Sequence, residues 1–332
     1  MAAIEVKGLR AYYLVGSVKN VKTVKAVDGI DLSINEDEIY GIAGESGCGK
    51  TTLIKALTGI AKLPLRIVAG EVDFKINGRN VNITELDGKD RANMVRGRSI
   101  SYIPQGSMSV LNPVRRINKS FQDFVYAHTD VSSGEFKTMV KTHLNGLGLS
   151  AEILKAYPHQ LSGGMQQRVT IALATILKPP IILADEPSTA LDVIMQRSVI
   201  QLLKKIKREQ RNTFIMITHD MAIHANFSER VGIMYAGKLV EEARTKDIFK
   251  ANVHPYTNFL IGSLPRIGDK TFRISAPGAP PSLVDPPPGC RFHPRCPKAM
   301  DICHEVEPLM QWVGEEHRAA CHLVDKETRN AT

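Results

Sequence analysis

The chain has 332 residues, of which 43% are hydrophobic and 23% charged; these are ordinary globular values that exclude a disordered or fibrous chain and suggest about two domains. Lys and Arg number 43 against 34 Asp and Glu, a net charge of +9 that suits nucleic acid, an anionic membrane surface or an anionic ligand such as a nucleotide. No apolar run approaches the roughly 18–20 residues of a membrane helix, and Met1 to Lys7 carries no secretory apolar region, so a cytosolic chain is expected.

The apolar run Glu38 to Ala43 predicts a buried strand, and Lys50 to Ile60 a helix. Between them stands Gly44-Glu45-Ser46-Gly47-Cys48-Gly49-Lys50-Thr51, a complete G-x-x-x-x-G-K-[ST] phosphate loop. Its glycines let backbone N–H groups curl around phosphate oxygens, Lys50 reaches the β- and γ-phosphates, and the Thr51 hydroxyl is placed to ligate Mg²⁺. Cys48 occupies a position where the pattern asks for no particular residue.

Leu161-Ser162-Gly163-Gly164-Met165-Gln166-Gln167 opens a helix expected from about Met165 to Leu177, ahead of Pro179-Pro180. Exposed glycine backbone, a serine hydroxyl and a helix N-terminus make a second anion cradle. One nucleotide does not need two cradles from one chain, so this surface is expected to complete a site on another subunit. Pro180 to Ala184 reads as a strand ending in Asp185-Glu186. The first carboxylate suits the Mg²⁺ shell, and the second suits orienting or deprotonating a water.

A helix over Thr189 to Gln210 carries Lys204, Lys205, Lys207 and Arg208, read as a solvated face. Thr213 to Thr218 reads as a third strand, and His219 follows it. Parallel strands present their C-terminal ends to one crevice, which places His219 beside the γ-phosphate. Strands alternating with helices predict an α/β domain with a mainly parallel sheet.

Composition changes near residue 250. Eleven of 18 prolines, four of five cysteines and the single Trp312 lie beyond Ala251, where nine basic residues balance nine acidic ones. The run from His254 to Gly289 predicts an extended wrap, since proline-rich chain disfavours helix and central strand. Cys290, Cys296, Cys303 and Cys321 follow at C-x₅-C-x₆-C-x₁₇-C. Four cysteines without a signal peptide suggest a [4Fe–4S] cluster, with zinc (alone or with His293, His304, His317 or His322) and no metal at all as the alternatives.

The phosphate loop, Gln105, Leu161–Gln167, Asp185-Glu186, Ser188-Thr189-Ala190-Leu191-Asp192 and His219 stand in the order seen in ABC transporter ATPases. Residues 1 to about 250 resemble their nucleotide-binding subunits. The resemblance implies a P-loop NTPase core with an N-terminal antiparallel β subdomain and a helical subdomain inserted over about 106–160. It implies that Glu186, His219 and Gln105 serve hydrolysis, with Thr51, Gln105 and Asp185 around Mg²⁺. ATP would contact Tyr13 (with Tyr12 beside it), Gly44, Ser46, Gly47, Cys48, Gly49, Lys50, Thr51 and Thr52. Ser162, Gly163 and Gly164 would reach the γ-phosphate held by the opposite subunit, and Ser188 to Asp192 would cross the dimer interface. Asn112-Pro113 and the tail's Pro-Pro-Pro-Gly-Cys and Arg-Cys-Pro resemble oligopeptide/dipeptide importer ATPases, some of which carry an iron–sulfur cluster in residues corresponding to 251–332.

That resemblance implies an ATPase at the cytoplasmic face of the membrane, energising import of peptides or a similar solute such as oligosaccharide. Its expected partners are a related but non-identical ATPase subunit, two transmembrane permease subunits and, indirectly, an extracytoplasmic solute-binding protein, with no nucleic acid. The alternative is a soluble ABC ATPase acting on nucleic acid or ribosomes, which usually needs two cassettes or a long coiled-coil insertion.

Overall fold

The computed structural model describes residues 1–17, 20–59, 61–76, 78–86, 98–106, 110–189, 191–264 and 276–324. Two long strands, β1 (Ala2–Ser17) and β2 (Asn20–Asn35), pair antiparallel. With β4 (Leu65–Ile76) and β5 (Arg79–Asn82) they make a four-stranded sheet in the order β2-β1-β4-β5. This is the expected N-terminal antiparallel subdomain. Its inner face packs Ile4, Leu9, Ile30 and Phe74 against Leu53 and Leu57 of α1 (Lys50–Leu57).

The second sheet holds the centre. Strands β3 (Ile39–Ala43), β7 (Ile181–Asp185) and β8 (Thr213–Ile217) are buried at every residue, as parallel strands covered on both faces must be. They run parallel with β6 (Ile100–Ile103) and β9 (Arg230–Tyr235) in the local order β9-β3-β8-β7-β6. The inserted helices are α2 (Ile117–Tyr126) and α3 (Ser133–Gly146), the second opened by a reciprocal cap between Ser132 and Glu135. They share a core with α4 (Gly163–Thr175) and α5 (Val193–Gln210) through Phe121, Phe136, Val169 and Leu203.

Three sequence expectations change. The helix expected from Thr189 starts at Val193 because the Asp192 carboxylate accepts the Met195 N–H at 2.9 Å and caps it. Lys207 is not part of a solvated face; it is buried and its ammonium meets the Asp37 carboxylate. The proline-rich tail does contain helix: after α6 (Met221–Phe227) and α7 (Thr245–Lys250), α8 spans Pro255–Gly262. Pro255 sits in its first turn, where a missing N–H costs nothing.

The tail also extends the main sheet. Strand β10 (Lys238–Arg244) pairs antiparallel with β9 on one side and with β12 (His317–Ala319) on the other, and β11 (Gln311–Gly314) closes the edge. Ion pairs fasten the join: Arg318 and Arg230 both reach Glu242, and His317 lies 2.7 Å from Glu241. A short α9 (Ile302–Glu305) carries Cys303. Tyr235, Tyr256 and Phe292 form one aromatic cluster, so chain on both sides of residue 250 shares a core.

Candidate active site

Strands β3, β8, β7 and β6 all end at one crevice. Ile42 pairs with Ile217, Asp185 with Ile217, and Ile103 with Ala184. The phosphate loop leaves β3 there, Asp185-Glu186 leaves β7, His219 follows β8 and Gln105 follows β6.

The loop's shape demands its glycines. Gly44 and Gly49 have φ of 148° and 110°, and a Cβ would lie 2.2 Å from the Met234 carbonyl oxygen at the first and 1.9 Å from that of Ala26 at the second. Lys50 folds into the loop, its Nζ 2.7 Å from the Gly44 oxygen and 2.9 Å from the Glu45 oxygen. Thr51 Oγ1 donates to Asp185 at 3.3 Å, and the Tyr102 hydroxyl donates to the same carboxylate at 3.3 Å. Asp185 is fully buried; burial pushes its carboxyl up against those two hydrogen bonds, and the neighbouring Glu186 charge adds to the rise.

Glu186 takes the opposite sense. Burial works to raise it, but hydrogen bonds from His219 and Thr189 outweigh burial and hold it below the usual carboxylate range. Its oxygens meet His219 Nδ1 at 3.0 Å, Thr189 Oγ1 at 2.8 Å and Gln105 Nε2 at 3.2 Å. The result is a carboxylate held low at the cleft, with a buried carboxyl pushed up behind it.

That cleft encloses about 520 Å³ and is lined by Tyr13, Ser46, Gly47, Gly49, Lys50, Thr51, Thr52, Gln105, Glu186 and His219. Gly44, Cys48 and Asp185 stand behind this lining. Cys48 is buried, with its sulfur 3.8 Å from Lys50 Nζ. Tyr13 faces the cleft and its hydroxyl accepts from Thr52 Oγ1 at 3.3 Å, whereas the Tyr12 hydroxyl donates to Asp28. Ser162, Gly163 and Gly164 do not line the cleft. The Ser162 hydroxyl caps α4 by accepting the Met165 N–H at 3.4 Å, and a Cβ on Gly164 would lie 1.9 Å from the Met195 methyl. The Gln167 amide donates to the Pro187 oxygen at 2.5 Å, tying α4 to the segment after Glu186. Within that segment Ala190 lies outside the described residues.

Sequence reasoning missed the tail's share in this site. It expects a nucleotide site built wholly before residue 250, yet Leu283 lines the cleft and its carbonyl accepts the Lys25 N–H at 2.8 Å. Tyr256 and Arg295 both bind Glu45 of the phosphate loop. No spacing rule announces a contact across some 250 residues.

Four cysteines gather in the tail. Burial pushes the Cys290 thiol up to about 11, and the neighbouring Cys303 and Cys296 add to it; burial pushes Cys321 up to about 12, with Cys290, Cys296 and Cys303 adding. Backbone N–H groups point at three of the sulfurs: Phe292 and His293 at Cys290, Lys298 at Cys296 and Leu323 at Cys321. Among the described residues, however, no three His, Cys, Asp or Glu side chains lie close enough to hold a metal ion. The sequence expectation of a metal site at these cysteines is not met among the described residues, where Cys303 and Cys321 are buried and Cys290 and Cys296 half-buried.

A model described as ABC transporter matches residues 27–189, and one described as oligopeptide/dipeptide transporter, C-terminal region, matches residues 240–303. The chain is 41% identical over 329 residues to a dipeptide transport ATP-binding protein, DppD, of Caldanaerobacter subterraneus, covering 97% of each. It is 38% identical to the oligopeptide transport ATP-binding protein OppD of Escherichia coli, covering 91% of this chain and 89% of that one. Among solved structures, the dimeric post-hydrolysis state of the ATP-binding cassette MJ0796, bound to ADP and Pi, matches with a TM-score of 0.62 and 29% identity, covering 73% of this chain and 98% of that one.

Proposed function

This chain belongs to the ABC transporter family, in the branch of dipeptide and oligopeptide transport ATP-binding proteins, and from that premise we propose that it hydrolyses ATP to drive import of peptides or a similar solute. The observation that carries the reading is the convergence of the phosphate loop, Gln105, Glu186 and His219 on one cleft. The family alternative acting on nucleic acid or ribosomes gains no support from relatives named as transport proteins.

ATP enters with its base toward Tyr13 and its phosphates in the loop from Gly44 to Thr52. Lys50 and the α1 N-terminus hold the phosphate charge. Mg²⁺ fits here: the buried, raised carboxyl of Asp185 and the Thr51 hydroxyl 3.3 Å from it form a hard-oxygen pair that a cation would satisfy, with Gln105 at its rim. When bound, the ion neutralises charge on the phosphates. Glu186 orients and deprotonates the attacking water. His219 and Thr189 hold its carboxylate ionised and aimed, and His219, largely exposed, faces the cleft where the γ-phosphate is expected.

Ser162, Gly163 and Gly164 lie away from this chain's own cleft, which supports their completing the site of a second, related ATPase subunit. A dimeric relative bearing ADP and Pi supports the same arrangement. In this reading residues 1–250 are the ATPase unit, 106–160 form a helical subdomain that docks a coupling helix of one of two transmembrane permease subunits at the cytoplasmic face, and a solute-binding protein acts on the far side. No helix among the described residues is long and apolar enough to cross a membrane.

Residues 251–332 are read as an extension in which Cys290, Cys296, Cys303 and Cys321 hold a [4Fe–4S] cluster. Support comes from four mutually interacting thiols with backbone N–H groups directed at three of them. A bound cluster would cross-link the extension. The direct test of the transport reading is affinity capture of the tagged chain from detergent-solubilised membranes. Two hydrophobic membrane proteins and a second ATPase should co-purify, and capture of the chain alone contradicts the reading.

A further inference from the structure

We propose that Arg295 is a positioning residue for the phosphate loop, so that the C-terminal extension sets the affinity of the ATP site; this rests on the cleft being that site. The five N–H donors of Arg295 are all directed. Its Nη1 and Nη2 grip both oxygens of Glu45 at 2.8 and 3.0 Å, a two-pronged charge-assisted pair. Nε donates to the Pro277 oxygen at 2.7 Å, Nη1 also reaches the Tyr235 hydroxyl at 3.2 Å, and Nη2 reaches the Ala276 oxygen at 3.3 Å. The side chain is only 6% exposed, so solvent does not screen the pair as it would on a surface.

Glu45 is the second residue of the loop, at a position where the phosphate-binding pattern asks for no particular residue type. Yet it is held at every polar group. Its N–H donates to the Tyr256 hydroxyl at 2.7 Å, its carboxylate is in the Arg295 fork, and its carbonyl accepts from Lys50 at 2.9 Å and from the Cys48 N–H at 3.3 Å. Arg295 therefore sits two contacts from the lysine that reaches for phosphate. The same stretch braces the loop a second time. Arg291 donates to the Ala236 oxygen and to Asp28, and the adjacent Gly237 N–H donates to the Cys48 oxygen at 2.8 Å. Both arginines lie between Cys290 and Cys296, on the same short segment.

The test is ATP binding by the full chain and steady-state hydrolysis by the complex captured with its partner ATPase, both in Mg²⁺, comparing wild type with Arg295→Lys, Arg295→Ala, Glu45→Gln and the double variant. Arg295→Lys keeps the charge, loses the fork and retains the fold. The expected outcome is a rise of roughly tenfold in the ATP dissociation constant for Arg295→Ala and about threefold for Arg295→Lys, seen in KM with kcat within about twofold. In the Glu45→Gln background, Arg295→Ala should add little, since the partner is already altered. If Arg295→Ala does not fold, Arg295→Lys and Glu45→Gln decide. Folded variants that bind ATP as wild type does, or effects that add fully in the double variant, overturn the proposal. A wild-type chain that binds no nucleotide overturns the reading of the cleft, and the proposal with it.

Discussion

Glu186 holds a left-handed backbone, φ 48°, that a non-glycine residue rarely adopts, and its N–H is fixed to the Ile217 oxygen at 2.9 Å. That conformation aims the carboxylate at Gln105, Thr189 and His219 rather than back along the strand. Glu186→Gln keeps the shape and removes the base, so ATP should bind normally while turnover falls by about 10²–10⁴-fold. Hydrolysis above a tenth of wild type removes Glu186 from the role. Lys50→Ala instead deletes a charge that acts on phosphates, and equilibrium binding of ATP should weaken. Two buried histidines give a separate prediction. Burial lowers His224 and His254 from 6.5 to about 4, although Glu241 pulls His254 back up. His254 Nδ1 accepts the Tyr256 N–H at 3.1 Å, which only the unprotonated ring can do. Between those values the unfolded chain binds more protons than the folded one. Stability should therefore be full above 6.5 and fall towards pH 4, by up to about 3 kcal/mol for each histidine. A denaturation midpoint unchanged from pH 7 to 5 would contradict this.

At the scale of elements, the N-terminus of α4 lies outside its own chain's cleft but carries an exposed Ser162 and a Gly164 packed against the end of the Met195 side chain. Ser162→Arg should impair hydrolysis at the site whose phosphate loop belongs to the partner, and leave ATP binding at this chain's loop within about twofold; a loss of binding here refutes the division of labour. The tail elements predict their own chemistry. Anaerobically purified chain should be brown and yield about four irons and four sulfides, the content of one cube. One zinc without iron means the thiols serve a different ion. The central strands are legible in the sequence because Ile39–Ala43, Ile181–Asp185 and Thr213–Ile217 are buried on both faces and so read as unbroken apolar runs. The hairpin β11–β12 is not. Its strands are only four and three residues long, and its partner strand β10 lies some 70 residues upstream, so only tertiary pairing makes it a strand. The helix at Pro255 is hidden for another reason: proline density argues against helix unless the proline's place in the first turn is known.

Across the whole molecule, the extension is less separate than its composition suggests. The charge balance and proline content change near residue 250, yet β12 continues the central sheet and Phe292 enters the core with Tyr235 and Tyr256. The candidate site follows the same pattern. Its phosphate loop, carboxylates and histidine are legible because each needs particular residue types at a short spacing. The contributions of Leu283, Tyr256 and Arg295 are not, because they are joined to the loop only by folding. An importer ATPase must turn the chemistry at Glu186 into movement of solute, and that conversion is the central claim. It is tested most directly by uptake of labelled di- and oligopeptides into cells whose only copy of this chain carries Glu186→Gln. Uptake should fall to the level of cells lacking the chain while the protein is still made and still binds ATP. Undiminished peptide uptake in those cells would contradict the account.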